Sequence, residues 1–126
     1  MIGAPQGRPE VQVFGVRKSA DTRAALRFFA ERRVRTHFVD LNERAASPGE
    51  LRRFAQKFGL AALIDRASRR FSELGLQTAV LSDERWLETL SLEPLLLRVP
   101  LVRLQQQLTI GLTPDIWKTW IERTPA

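Results

Sequence analysis

No cysteine occurs anywhere in the 126 residues. That absence excludes a disulfide framework, a thiol nucleophile, a Cys-x-x-Cys redox pair and any thiolate metal site. Histidine is almost as scarce: His37 stands alone, and one imidazole does not make a metal centre. Its place between Thr36 and Phe38, in the middle of an expected strand, reads as a surface or edge position rather than as the base of a Ser/His/Asp arrangement. No apolar run approaches the ~18 residues that cross a bilayer. The opening MIGAPQGRPE lacks the apolar stretch of a secretion signal, so a soluble cytoplasmic protein is expected. There is no internal repeat, no low-complexity tract and no run of five basic residues.

What is present fits one compact domain of mixed α and β structure: 44% of the residues are apolar, enough at this length to fill a core without staples. Residues 1–10, with two glycines and two prolines, read as a loose leader, and the domain is expected over residues 11–123. Twenty basic residues against 14 acidic ones give a net charge of +6 and a pI near 11.2. Nucleic acid, an acidic protein surface and an anionic ligand are all admitted as partners. Arginine supplies 17 of the 20. Their scatter fits the codon bias of a GC-rich genome better than it fits bidentate recognition of anions.

The most informative stretch is VQVFGVRKSADTR, Val11 to Arg23, where a short apolar strand (Val11 to Phe14) runs directly into a turn that opens a helix at Ser19. Such turns point backbone N–H groups outward and favour anions. The helix is predicted over Ala20 to Arg33, with Ala24, Ala25, Phe28 and Phe29 on its apolar face and Arg23, Arg27 and Glu31 on a polar stripe. A second strand, Thr36 to Leu41, follows at once, which predicts a right-handed βαβ unit. Ser47, Pro48 and Glu50 read as an N-cap, first-turn proline and capping box. Leu51, Phe54, Ala55 and Phe58 form the buried stripe of that helix, and Gly59 ends it. Leu60 to Ile64 is expected as a short helical piece, and Asp65 to Ser72 as a polar segment. Ser82 caps a further helix through Trp86, Leu87 and Leu90, limited by Pro94. Pro100 to Leu104 and Leu108 to Gly111 read as an antiparallel hairpin, and a last helix starts at Thr113, Pro114 and Asp115. Trp117 and Trp120 on that helix are read as sealing a core.

FGVRKSADTRAALRFF (14–29), LIDRASRRFSELGL (63–76) and LLLRVPLVRLQQQLTIG (95–111) together resemble, in the right order, three segments of the arsenate reductase (ArsC)/Spx family. The likeness covers residues 11 to about 123. It implies a thioredoxin-like α/β fold of three layers, α/β/α, with a mixed four-stranded sheet and a helical insertion. It also implies a cis bond before Pro100. In the family that proline faces the reactive cysteine. Aligned on Arg23, Ser19 stands at the nucleophile position and Thr22 at the second cysteine of the Spx pattern, while Val99 replaces the arginine of the family's Arg-Pro pair.

The resemblance therefore implies an oxidoreductase whose nucleophile is missing. Ser19, Thr22, Arg23 and Arg66 are the candidates for holding an anion, although Asp21 places a negative charge in the same loop. From the residues alone, Ser19 reads as a helix N-cap worth ~1 kcal/mol, and Arg23 as either an anion ligand or a solvated stripe residue. No base that would activate a serine hydroxyl is evident. Arg66, Arg69 and Arg70 read as a solvated face and as the best candidates for docking an acidic partner. The functional expectation is a redox-inactive family member, without cofactor, that binds a protein. If Spx is the guide, the partner is the transcription machinery, for example the α subunit of RNA polymerase. The alternative is a glutathione-dependent enzyme that uses the Ser19 hydroxyl.

Overall fold

The computed structural model describes residues 9–123, so most of the expected leader lies outside the described residues. The chain's packing divides it into two compact units, one made of the residues up to Val39 together with those from Val99 onward, the other of Asp40–Arg98. No helix among the described residues is long and apolar enough to cross a membrane.

The first unit is built on a mixed four-stranded sheet in the order β2-β1-β3-β4, with β1 Val11–Gly15, β2 Thr36–Asp40, β3 Leu101–Leu104 and β4 Gln107–Ile110. β1 and β3 are antiparallel, with Val11 opposite Leu104 and Phe14 opposite Leu101. β3 and β4 form the expected hairpin around Gln105 and Gln106, with Gln105 in the left-handed region at φ 56°. Helix α1, Ala20–Glu31, joins β1 to β2, and helix α5, Pro114–Arg123, follows β4.

Alternation along the strands sends Val11, Val13, Val102 and Leu104 to one face. There they meet Ala25 and Phe29 of α1 and both Trp117 and Trp120 of α5 in one buried cluster. Trp117 is fully buried, its ring 5.4 Å from that of Phe28 and 5.1 Å from that of Phe29. Its indole N–H donates to Thr109 Oγ1 at 2.7 Å, which satisfies two polar groups in an otherwise apolar interior.

The second unit contains α2 Pro48–Phe58, α3 Arg69–Glu73 and α4 Asp83–Leu92. Every one of these helices starts on a serine. Ser47 completes its capping box with Glu50, and Ser68 and Ser82 accept from the N–H groups of Phe71 and Arg85. α2 packs on α4 and buries Leu51, Phe54, Trp86, Leu87 and Leu90. The segment after α4 is tied back by two backbone bonds, Asp65 N–H to Leu96 O at 2.7 Å and Arg98 N–H to Leu63 O at 2.8 Å.

Several expectations need correction. α1 stops at Glu31, not Arg33, because Arg33 turns left-handed (φ 57°) to lead the chain into β2. Phe58 is 40% exposed rather than buried, its ring lying 5.4 Å from the Lys57 ammonium. The segment from Asp65 to Ser72 contains the start of α3, whose single buried residue, Phe71, is too little for periodicity to register.

Candidate functional site

The register that pairs Phe14 with Leu101 carries on to set Gly15 beside Pro100. The turn holding Ser19 and the peptide bond before Pro100 therefore lie at the same end of the first unit's sheet. The Val99-Pro100 bond is cis. Pro100 is buried, and its carbonyl accepts from Gly111 N–H at 2.8 Å, which joins the start of β3 to the end of β4.

Ser19 is the N-cap of α1, with extended backbone angles. Its N–H donates to Val16 O at 3.0 Å, its Oγ accepts from Thr22 N–H at 3.1 Å, and its carbonyl accepts from Arg23 N–H at 3.1 Å. The hydroxyl oxygen thus satisfies one of the helix's free N–H groups, which an incoming anion would otherwise use. Asp21 adds a carboxylate in the first turn, complementing the dipole and repelling anions. Arg23 is exposed and its guanidinium donates to the Arg17 carbonyl at 2.6 Å, bracing the loop across the helix start. Val99 contributes no side-chain donor where the family resemblance places an arginine. His37 is exposed on β2.

Thr22, grouped by sequence with the anion-binding candidates, is instead an interior residue. It is 0% exposed, and its Oγ1 has no hydrogen-bond partner among the described residues. Its side chain fills the space over Gly15: a Cβ added at Gly15 would overlap Thr22 Oγ1 and lie 2.6 Å from Cγ2. The signal was available, since Thr22, Ala25 and Phe29 share one helical face. A threonine in that stripe reads as polar and hides it.

The remaining candidates belong to the second unit. Arg66 is exposed, its guanidinium 5.5 Å from the centre of the Phe71 ring, and Arg69 is exposed at the start of α3. Arg70 is not the free docking group the sequence suggested. It makes a two-pronged bond to Glu93, with Nε to Oε1 at 2.7 Å and Nη2 to Oε2 at 3.0 Å, and a longer contact to Glu73 at 3.5 Å. This fork fastens α3 to the end of α4. Hydrogen bonding from Arg70 holds the Glu93 carboxyl below its ordinary pKa, against a smaller opposing effect of desolvation.

A carboxylate whose pKa is lower in the folded than in the unfolded chain stabilises the fold above the ordinary carboxylate range. That contribution is lost as pH falls through the range towards the lowered value. Glu93→Gln should therefore reduce stability at neutral pH and flatten its acid dependence. Urea unfolding of both proteins at pH 7 and at pH 3 checks this: the difference should shrink at the lower pH.

The model of the ArsC family matches residues 14–120. No curated protein matches the chain by sequence. Among solved structures, the YffB protein superposes with a TM-score of 0.79 at 22% identity, covering 86% of this chain and 96% of its own. An arsenate reductase from Vibrio cholerae gives 0.76 at 22% identity, covering 86% and 95%. An arsenate reductase-related protein from Brucella melitensis gives 0.64 at 17% identity over 90% and 95%. The structural likeness establishes the thioredoxin-like fold, and the family model, spanning both units, establishes descent: the chain belongs to the ArsC family.

Proposed function

We propose that this ArsC-family protein carries out no thiol redox chemistry and works by binding a protein partner. One observation carries the reading. The hydroxyl at the position of the family's cysteine is engaged as a helix cap, in a chain that has no thiol anywhere. A thiolate at a helix N-terminus is ionised near neutral pH, whereas a serine hydroxyl needs an adjacent base. The nearest carboxylate in sequence, Asp21, lies on the first turn of the same helix. Arg23 is drawn towards Arg17, so the two elements that would hold an oxyanion, free amides and a free guanidinium, are both partly committed. The resemblance to Spx makes the C-terminal domain of the RNA polymerase α subunit the first partner to try.

Arsenate reduction assayed with glutathione as the thiol should not exceed the blank for the native chain. Turnover well above it, or shifts of the Ser19 to Arg23 amides with millimolar glutathione, would overturn the reading in favour of a glutathione-dependent enzyme. Ser19→Cys is an informative companion. It should react readily with a maleimide, as the chain's only thiol, and still fail to reduce arsenate, because Asp21 and Val99 remain. Saturable binding to the purified α-subunit domain would identify the partner, and its absence would remove that assignment.

A further inference from the structure

The two units differ sharply in charge. Among the described residues the first carries ten basic and five acidic side chains, and the second nine of each. The surplus therefore belongs to the first unit and not to the one that contains the Arg66, Arg69 and Arg70 segment. Three of its arginines, Arg32, Arg33 and Arg35, crowd the entry to β2, and all three are exposed. Arg32 is occupied locally, bonding Phe28 O at 3.1 Å and lying 3.7 Å over the Phe28 ring. Arg35 reaches Glu10 only at 4.0 Å, with both side chains well exposed. That is a weak contact in water. The left-handed backbone at Arg33 turns the chain there, and no ion pair forms at its guanidinium among the described residues.

β2 is also an outer strand of the sheet. Val11 N–H donates to Arg35 O at 2.9 Å. In a parallel ladder this turns the backbone groups of Arg35, His37 and Val39 towards β1 and those of Thr36 and Phe38 outward. Among the described residues no loop or helix backbone bonds to the outward groups of Thr36 or Phe38. The strand, Thr-His-Phe-Val-Asp, has no proline or lysine, two of the usual guards of an open edge.

We propose that the outer edge of β2 accepts an extended acidic segment of a partner protein as an added strand, with Arg33 and Arg35 pairing to its carboxylates. Backbone bonds to Thr36 and Phe38 would supply the pairing, and the arginines its preference for acidic sequence. Asp40 closes the far end of the strand, so the carboxylates belong at the Arg33 end. The outward backbone groups of Thr36 and Phe38, which meet no backbone partner among the described residues, match a polypeptide strand and not a phosphate backbone. The proposal rests on the protein-binding reading above and names where, and to what chemistry, the chain binds.

The test uses the full chain, isotope-labelled, titrated at low salt with a blocked peptide of alternating Glu and Val and with its Lys-Val counterpart. The Glu-Val peptide should shift the Thr36 and Phe38 amides and slow their hydrogen exchange by about tenfold. Arg33→Glu with Arg35→Glu should weaken it by about tenfold, and Lys118→Glu with Arg123→Glu, an equal charge change on α5, should leave it unaltered. Silent β2 amides, equal loss in both variants, or equal binding of the Lys-Val peptide would overturn the proposal. So would concentration-dependent change at β2 without peptide, which would indicate a second copy, or stronger perturbation by a single-stranded oligonucleotide. Arsenate turnover would sink the scaffold reading while leaving a β2 response intact, and silent β2 amides with no turnover would do the reverse.

Discussion

Replacing Trp117 by alanine should cost about 3–5 kcal/mol, the range for deleting a fully buried large side chain. The indole is enclosed by Phe28 and Phe29 from α1 and joins the cluster formed with Val11, Val13 and Val102, so its removal opens a cavity that three elements border. It also leaves Thr109, itself buried, without the donor that satisfies its hydroxyl, and an orphaned buried group carries its own penalty of about 1–3 kcal/mol. The two contributions overlap, because a collapsing cavity can also admit a water. Trp117→Phe separates them: the ring remains, the N–H is gone, and the loss should fall to about 1–2 kcal/mol. Against a typical domain stability of about 5–15 kcal/mol, the alanine variant approaches the unfolding threshold. Urea melts followed by far-UV circular dichroism give both differences. A midpoint in the alanine variant equal to the native one would show that the α1, α5 and sheet interior is not a main source of stability.

Much of this arrangement is legible in the residues because local rules agree with one another. The serine, proline and glutamate at 47, 48 and 50 form the capping box that their spacing announces. Ser19 caps α1 as a polar residue before an amphipathic run should, and the short apolar run at Val11 to Phe14 forms β1. What stayed hidden depends on partners far along the chain or on packing against a missing side chain. Arg70 and Glu93 are 23 residues apart, and nothing between them marks a fork. Arg33 shows no turn residue, yet it takes a left-handed conformation that glycine or asparagine would adopt more readily. Thr22 is concealed by its polarity, and the close approach of Gly15 to its side chain shows only in the packed structure.

The charge distribution bears on function in the same way. A net charge of +6 belongs to the whole chain and says nothing about where an acidic partner would land. Once Arg70 is bound to Glu93 and the second unit balances its own charges, the short arginine-rich turn ahead of β2 is the better place to look. The cluster of three arginines at 66, 69 and 70 was the more conspicuous motif, but proximity in sequence did not show that one of them was already paired.

Gly15→Ala should destabilise the first unit by about 1–3 kcal/mol, the usual cost of forcing an extra carbon into a packed interior. Glycine is needed there for space and not for its backbone freedom. The added methyl would occupy the volume of the Thr22 side chain, which is fully buried and held on the first turn of α1, so neither partner can withdraw without moving a strand or a helix. Removing the obstruction tests the cause. Thr22→Ala deletes Oγ1 and Cγ2, leaving the Thr22 Cβ 3.1 Å from the new methyl, a distance that a small adjustment relieves. Alone it should cost little, because the lost methyl packing is offset by the loss of a hydroxyl that has no partner. In the double variant the two changes should be strongly non-additive, recovering about 1–2 kcal/mol relative to their sum. Thr22→Val sharpens the point: it keeps the shape and drops only the unpartnered hydroxyl, so it should be neutral or slightly stabilising. A loss above about 1 kcal/mol in the valine variant would mean that the hydroxyl has a partner in solution. Thr22 would then return to the group of residues that serve the turn's chemistry, and the inert reading of that turn would have to be reopened.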